Sequence, residues 1–299
     1  MVDSYKRELI KLYKHPIAIW IVIPFVFFIV YSYVSIGSQF QKSFILFIEK
    51  SSFSEQETLN YIANSGITEP LFSNLYVLSP SMAITYSLAS VNALGPIGLS
   101  FIGALLFGVE YRHFTIGQLW VSGMTKAELL LGKLFSMLTF ILFFIIISIL
   151  TGYIMSAITP FIFNLPMDVI TSEESIQFST SLLQIIGTIF SLLLWGVFAA
   201  CITVITKSLL AGIVVGFIYP IVESVLLHSW SIGKLFPLFI QKSMLPILFE
   251  KTAYGGMVSF TDMPDIYSLN QSILLTLLYI VSFVLIMFIV LKKQRVPLP

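Results

Sequence analysis

Apolar residues run along this chain in long, nearly unbroken stretches separated by short polar ones, the pattern of membrane-crossing helices. A bilayer core takes about 20 mainly apolar residues per helix. Six stretches meet that length: 17–36, 82–109, 129–157, 182–205, 209–227 and 273–291. The second and third exceed a minimal span, which predicts tilt or extension beyond the bilayer. Pro24, Pro96 and Pro220 lie inside spans, where proline removes a backbone donor and favours a kink, though such prolines are ordinary in membrane helices. Ahead of the first span, Tyr5, Leu9, Leu12 and Tyr13 share one helical face and Lys6, Arg7, Lys11 and Lys14 lie elsewhere. That pattern predicts an interfacial helix over residues 1–16, the alternative being a basic flank to the span.

The polar stretches differ among themselves. Residues 37–81 are rich in Ser, Asn and Glu and read as an external loop too short for a large domain. Within it, Ser79-Pro80 reads as an N-cap and first-turn proline opening the second span. Residues 228–272 contain KLFPLFIQKSMLPILFEK, amphipathic and broken by Pro237 and Pro246. Short re-entrant or surface helices before the last span are the expectation there. The fold class expected is therefore all-α integral membrane, one transmembrane domain over 1–299, with six transmembrane helices.

Composition agrees and charge orients it. The chain is 57% hydrophobic and 10% charged, against about 25% charged in a soluble domain, which excludes both a soluble globule and a disordered chain. The net charge of +1 offers no basic character for nucleic acid. With the N-terminus placed in the cytoplasm, eleven of the sixteen Lys and Arg fall inside: Lys6, Arg7, Lys11, Lys14, Arg112, Lys126, Lys133, Lys207, Lys292, Lys293 and Arg295. Four acids accompany them, ten lie outside with five Lys, and Glu223 sits within a span. The inside then carries +7 and the outside −5, an arrangement the positive-inside rule favours, with both termini cytoplasmic. The first apolar run has span length and no small-residue cleavage site after it, so no cleavable leader is expected.

Few isolated residues point to chemistry. Cys201 has no partner cysteine and reads as a packing residue. No P-loop motif, zinc-protease motif or paired cysteines occur, and His15, His113 and His228 lie far apart, so neither metal site nor catalytic residue is expected. Asn270-Gln-Ser matches a glycosylation acceptor, read here as chance at the mouth of a span. Gly212 and Gly216 form a small-xxx-small pattern that permits close helix approach, within the subunit or at a dimer seam. Glu223 is an intramembrane carboxylate, read either as functional or as reaching the outer headgroups.

The most informative segment is EYRHFTIGQLWVSGMTKAELLLGK, residues 110–133. Thr115 with Gln118 forms one capping box, Gly123 suits the end of a short helix, and Thr125 with Glu128 forms a second box opening the third span. Ile116, Trp120 and Met124 line up as an apolar stripe, which should meet a membrane surface or another protein. The segment resembles the signature of type-2 ABC exporter permeases. Glu110 matches that family's acid at the end of the second span and Thr115 its threonine. Ser122-Gly123-Met124-Thr125-Lys126 matches its small and basic stretch, and Gly132-Lys133 its Gly-Lys pair. Phe114 departs from the pattern, which usually has glycine there.

The resemblance implies that 110–128 is a coupling segment docking on a separate ABC ATPase. Glu110, Tyr111, Arg112, His113, Phe114, Thr115, Gly117, Trp120, Met124 and Lys126 would be its contact residues, Phe114 and Trp120 the anchors, and Arg112 and Lys126 rim charges. It implies two ATPase copies that bind ATP and Mg, no cofactor in this chain, and a second permease, identical or paralogous. The location implied is a multi-pass cell membrane, bacterial by analogy, in contact with lipid. Scarce charge in the spans suits an amphipathic or hydrophobic cargo such as a peptide, drug or lipid-like molecule. The alternative class is an ion-coupled secondary transporter or channel.

Overall fold

The computed structural model describes residues 2–51, 53–65, 78–113, 123–165, 178–223, 235–241 and 267–294. Among them every element is helical: α1 (Val2–Lys14), α2 (Pro16–Ser51), α3 (Glu55–Ser65), α4 (Ala83–Arg112), α5 (Lys126–Ile162), α6 (Phe178–Thr206), α7 (Leu209–Val222) and α8 (Leu269–Lys293). Five of these, α2, α4, α5, α6 and α8, are long and apolar enough to cross a membrane. Of the stretch expected as a fifth span, 209–227, residues 209–222 form the 14-residue α7, and residues 224–227 lie outside the described residues.

The first expected span and loop need correction. Helix α2 does not stop near residue 36 but continues to Ser51, and α3 follows. The reason is an apolar stripe set among polar residues: Phe40 stacks on Phe44 with centroids 5.8 Å apart, and Phe47 stacks on Tyr61 of α3 at 5.6 Å. Ser79 does hold the N-cap position of a 3₁₀ turn, Pro80–Met82, that leads into α4, but its side chain makes no capping bond. Its hydroxyl instead lies 2.8 Å from that of Ser81.

Helix α4 is the centre of the bundle. Of its most apolar stretch 78% is buried, against 28% for α2 and 17% for α8, so the last two are peripheral. Small residues let neighbours close on α4. A Cβ added to Gly103 would lie 1.9 Å from the Gly196 carbonyl oxygen of α6, so those two backbones touch. Higher up the same seam, Thr85 donates to Gln184 Oε1 (2.7 Å) and the Asn92 amide to Thr188 Oγ1 (2.8 Å). Side chains on the outer faces of α2, α5 and α8, among them Trp20, Phe27, Phe161 and Leu285, are exposed and apolar. A water-facing surface would not carry them so densely, and a lipid-facing one does.

Candidate functional site

At the end of the bundle where α4 finishes and α5 begins, four charged side chains form a closed ring. Glu8 lies on α1, in a face made by Ser4, Glu8 and Leu12, all three buried. Spacing of four residues aligns them along the helix. Glu8 accepts from Lys133 Nζ at 2.9 Å through one oxygen and from Lys11 Nζ at 2.9 Å through the other. Glu110, near the last turn of α4, completes the ring: its Oε1 lies 3.0 Å from Lys133 Nζ and 3.2 Å from Lys11 Nζ. Lys133 also donates to the Leu106 carbonyl and lies 5.2 Å from the Phe107 ring centroid.

Two acids and two bases make the ring neutral, which is what permits such burial. Glu8, Glu110 and Lys133 are each 3% exposed or less, and an unpaired charge there would be severely unfavourable. Burial pushes the Glu8 carboxyl up, but the Lys133 and Lys11 ammonium groups outweigh it and hold it below its ordinary range. For Lys11, burial lowers the value and the Glu8 and Glu110 carboxylates more than compensate. Lys133, which sequence reading counts with the charges of the cytoplasmic side, is thus an interior residue. Its neighbour Gly132 explains how α1 comes so close: a Cβ there would lie 2.5 Å from Ser4 Oγ.

The ring grips both flanks of the segment between α4 and α5. Glu110 holds the α4 flank. On the α5 flank the Ser4 hydroxyl lies 3.2 Å from the Glu128 carbonyl and 3.8 Å from Met124 Sδ. Thr125 and Glu128 form the expected capping box in both directions, and Gly123 takes φ 86°, the left-handed region that glycine tolerates. A second knot ties the same flanks to the end of α8. Tyr111 donates to Gln294 Oε1 at 3.0 Å, and Lys126 Nζ donates to the Lys292 and Gln294 carbonyls at 3.1 and 2.8 Å.

The expected contact residues therefore divide. Arg112 and His113 are exposed, Tyr111, Met124 and Lys126 are half-buried, and Glu110 faces inward. Lys126 serves the α8 carbonyls rather than standing free at a rim. Phe114, Thr115, Gly117, Gln118 and Trp120 lie outside the described residues, so neither the first capping box nor the two aromatic anchors are described. Sequence reading missed Glu8, Lys11 and Gln294, and took Lys133 only as half of a motif pair. The i, i+4, i+8 alignment of Ser4, Glu8 and Leu12 was the available signal.

The two isolated candidates also find places. Gly212 and Gly216 pack inside the chain: added Cβ atoms would lie 1.9 Å from Thr203 Oγ1 and 2.7 Å from Ser100 Cβ. Close approach of α7 to α6 and α4 is the use made of that stripe. Glu223 turns inward rather than toward headgroups, is 4% exposed, and accepts the Phe239 N–H at 2.9 Å. Phe239 belongs to a short helical segment, 237–241, whose Gln241 accepts from Trp195 Nε1 and donates to Ser191 Oγ, both at 2.6 Å. Trp195 and Ser191 lie near the middle of α6, so this segment re-enters the bundle. No protein-family model, curated protein or solved structure matches the chain.

Proposed function

We propose that the chain is the membrane-spanning permease subunit of an ATP-driven exporter of the type-2 ABC kind, energised by a separate pair of ATPases. The observation that carries the reading is the double clamp on the two flanks of the 110–128 segment, at Glu110 and Tyr111 and at Lys126 and Lys133. A short segment joining two membrane helices is fixed at both flanks, by the charge ring to α1 and by Gln294 to α8. Flanks so held move with α4 and α5, which is what a transmitter of ATPase motion requires. The motif residues Glu110, Gly132 and Lys133 meet at the clamp, and this supports the resemblance read from them.

In this reading the α1 end faces the cytoplasm, both termini lie there, and the location is a bacterial plasma membrane. ATP and Mg belong to the partner ATPases, and the chain carries out no hydrolysis itself. The cargo is amphipathic or hydrophobic and enters between this permease and a second one, identical or paralogous. Phe114 and Trp120 anchor the ATPase, and Arg112 and His113 flank it. The test is capture of the tagged chain from its native membranes. A P-loop ATPase should co-purify in equal amount, and Phe114→Ala with Trp120→Ala should release it while the permease stays folded. An ATPase indifferent to both changes would overturn the docking.

One observation favours the second class, an ion-coupled transporter. Glu223, a buried carboxylate at the end of the described part of α7, accepts the Phe239 N–H of a segment packed into the bundle, and an intramembrane carboxylate is what such transporters use to bind their ion. Transport by the isolated chain in vesicles, driven by an ion gradient and indifferent to ATP, would decide for it.

A further inference from the structure

Helix α1 has three faces. Ser4, Glu8 and Leu12 are turned inward. On one side of them lie Leu9 and the exposed Tyr13, whose ring meets Phe143 edge-on with centroids 5.5 Å apart. Facing outward, Lys6, Arg7 and Lys14 are exposed, with the exposed Ile10 between the first and last. Among the described side chains these three cations make no ion pair: Glu8 of the same helix is taken up by the ring with Lys133 and Lys11, and the side chain of Asp3, the other acid of α1, lies outside the described residues. Ile19 and Trp20, at the start of α2, are also exposed and apolar. They mark the level at which the chain enters lipid, since tryptophan favours the headgroup boundary.

We infer that the outward face of α1 binds the headgroups of anionic lipids, and that this binding sets the position of the end of α4 and the start of α5 through the charge ring. The placement is specific. Tyr13, Ile10 and Trp20 hold α1 at headgroup depth. Lys6 and Lys14 are eight residues apart, about 12 Å along the helix, so they bracket a headgroup or two rather than a single atom. Charge complementarity selects the occupant, because a basic interfacial helix gains about 1 kcal/mol per cation from an anionic surface and little from a neutral one. Glu8 then carries that bias inward, since it shares Lys133 and Lys11 with Glu110. The inference needs only that α1 lies beside a membrane, and holds for the exporter and the ion-coupled reading alike.

The experiment is hydrogen exchange on the full chain in nanodiscs of phosphatidylcholine with and without phosphatidylglycerol. Phosphatidylglycerol should slow exchange in residues 4–14 about tenfold, and slow it in 123–133 as well. Lys6→Gln/Arg7→Gln/Lys14→Gln should erase both effects, Lys6→Arg/Lys14→Arg should keep them, and raised salt should shrink them in the wild type. Lys42→Gln/Lys50→Gln, on the far half of α2, should leave them intact. An equal rate in the two lipids, or an effect that survives the triple Gln change, would overturn headgroup binding. Slowing confined to residues 4–14 would overturn transmission through the ring. Co-purification of the ATPase is a separate readout, so loss of that reading leaves these outcomes interpretable.

Discussion

Lys133 Nζ lies 2.9 Å from Glu8 Oε2, a pairing across 125 positions in the sequence that joins the first helix to the first turns of α5. Removing one partner of a buried pair strands the others, at about 3–5 kcal/mol. Lys133→Met should therefore lower thermal stability by that amount, read from tryptophan fluorescence in detergent. Glu8→Leu/Glu110→Leu/Lys133→Met should recover most of the loss, because Lys11 is half exposed and can turn to water. A triple variant no more stable than the single one would contradict a desolvation-balanced ring.

Gly132→Ala tests the close approach directly. The new Cβ would meet Ser4 Oγ at 2.5 Å and the Tyr5 amide nitrogen at 3.3 Å. Helix α1 must lift, and the ring must lengthen. Hydrogen exchange in residues 4–12 should quicken while the α4–α6 seam keeps its protection. Unchanged exchange in α1 would show that Ser4 yields alone.

The ring also predicts a pH window. Glu8 titrates below its ordinary 4.5 in the folded chain, so its contribution is present above about that pH and disappears as pH falls through the lower folded value. Lys11 titrates above its ordinary 10.5, so its contribution is present below that pH and disappears as pH rises through the higher folded value. Protection of α1 should be flat between these limits and fall on the acid side. Glu8→Gln should remove its share of the acid fall. An acid limb identical in the variant would assign that limb elsewhere.

Glu223 should act on the re-entrant segment. Glu223→Ala leaves the buried Phe239 N–H without its acceptor, a loss of about 1–3 kcal/mol, and exchange in residues 237–241 should rise. Glu223→Gln keeps a carbonyl oxygen at the same reach and should preserve most protection. If Glu223→Gln retains the fold and wild-type transport, a charge-dependent role for Glu223 is excluded. Loss of ion-driven transport with the fold intact would support the second reading.

The helices were largely legible, because unbroken apolar runs leave few other structures in a bilayer. The extension of α2 was less so, since Phe40, Phe44 and Phe47 are diluted by Ser, Gln and Lys and read as loop. At the site, the motif pointed to Glu110 and Lys133, but nothing local says that either turns inward. Their partners on α1 lie 99 and 125 positions away. Glu8 sits between Arg7 and Leu9 and looks like an ordinary surface acid until α1 is laid along α5. Glu223 was visible as a lone carboxylate, while the segment that it holds depends on Gln241 reaching Trp195, a contact no periodicity encodes.

Transmission between the proposed ATPase partner and α1 through the ring is the central claim, and nucleotide trapping tests it most directly. With the ATPase bound, ATP and vanadate should change hydrogen exchange in residues 123–133 and in residues 4–14 together. The Lys133→Met/Glu8→Leu/Glu110→Leu variant should keep the first change and lose the second. Exchange in 4–14 that ignores nucleotide in the wild type, or that still responds when the ring is gone, would contradict the account.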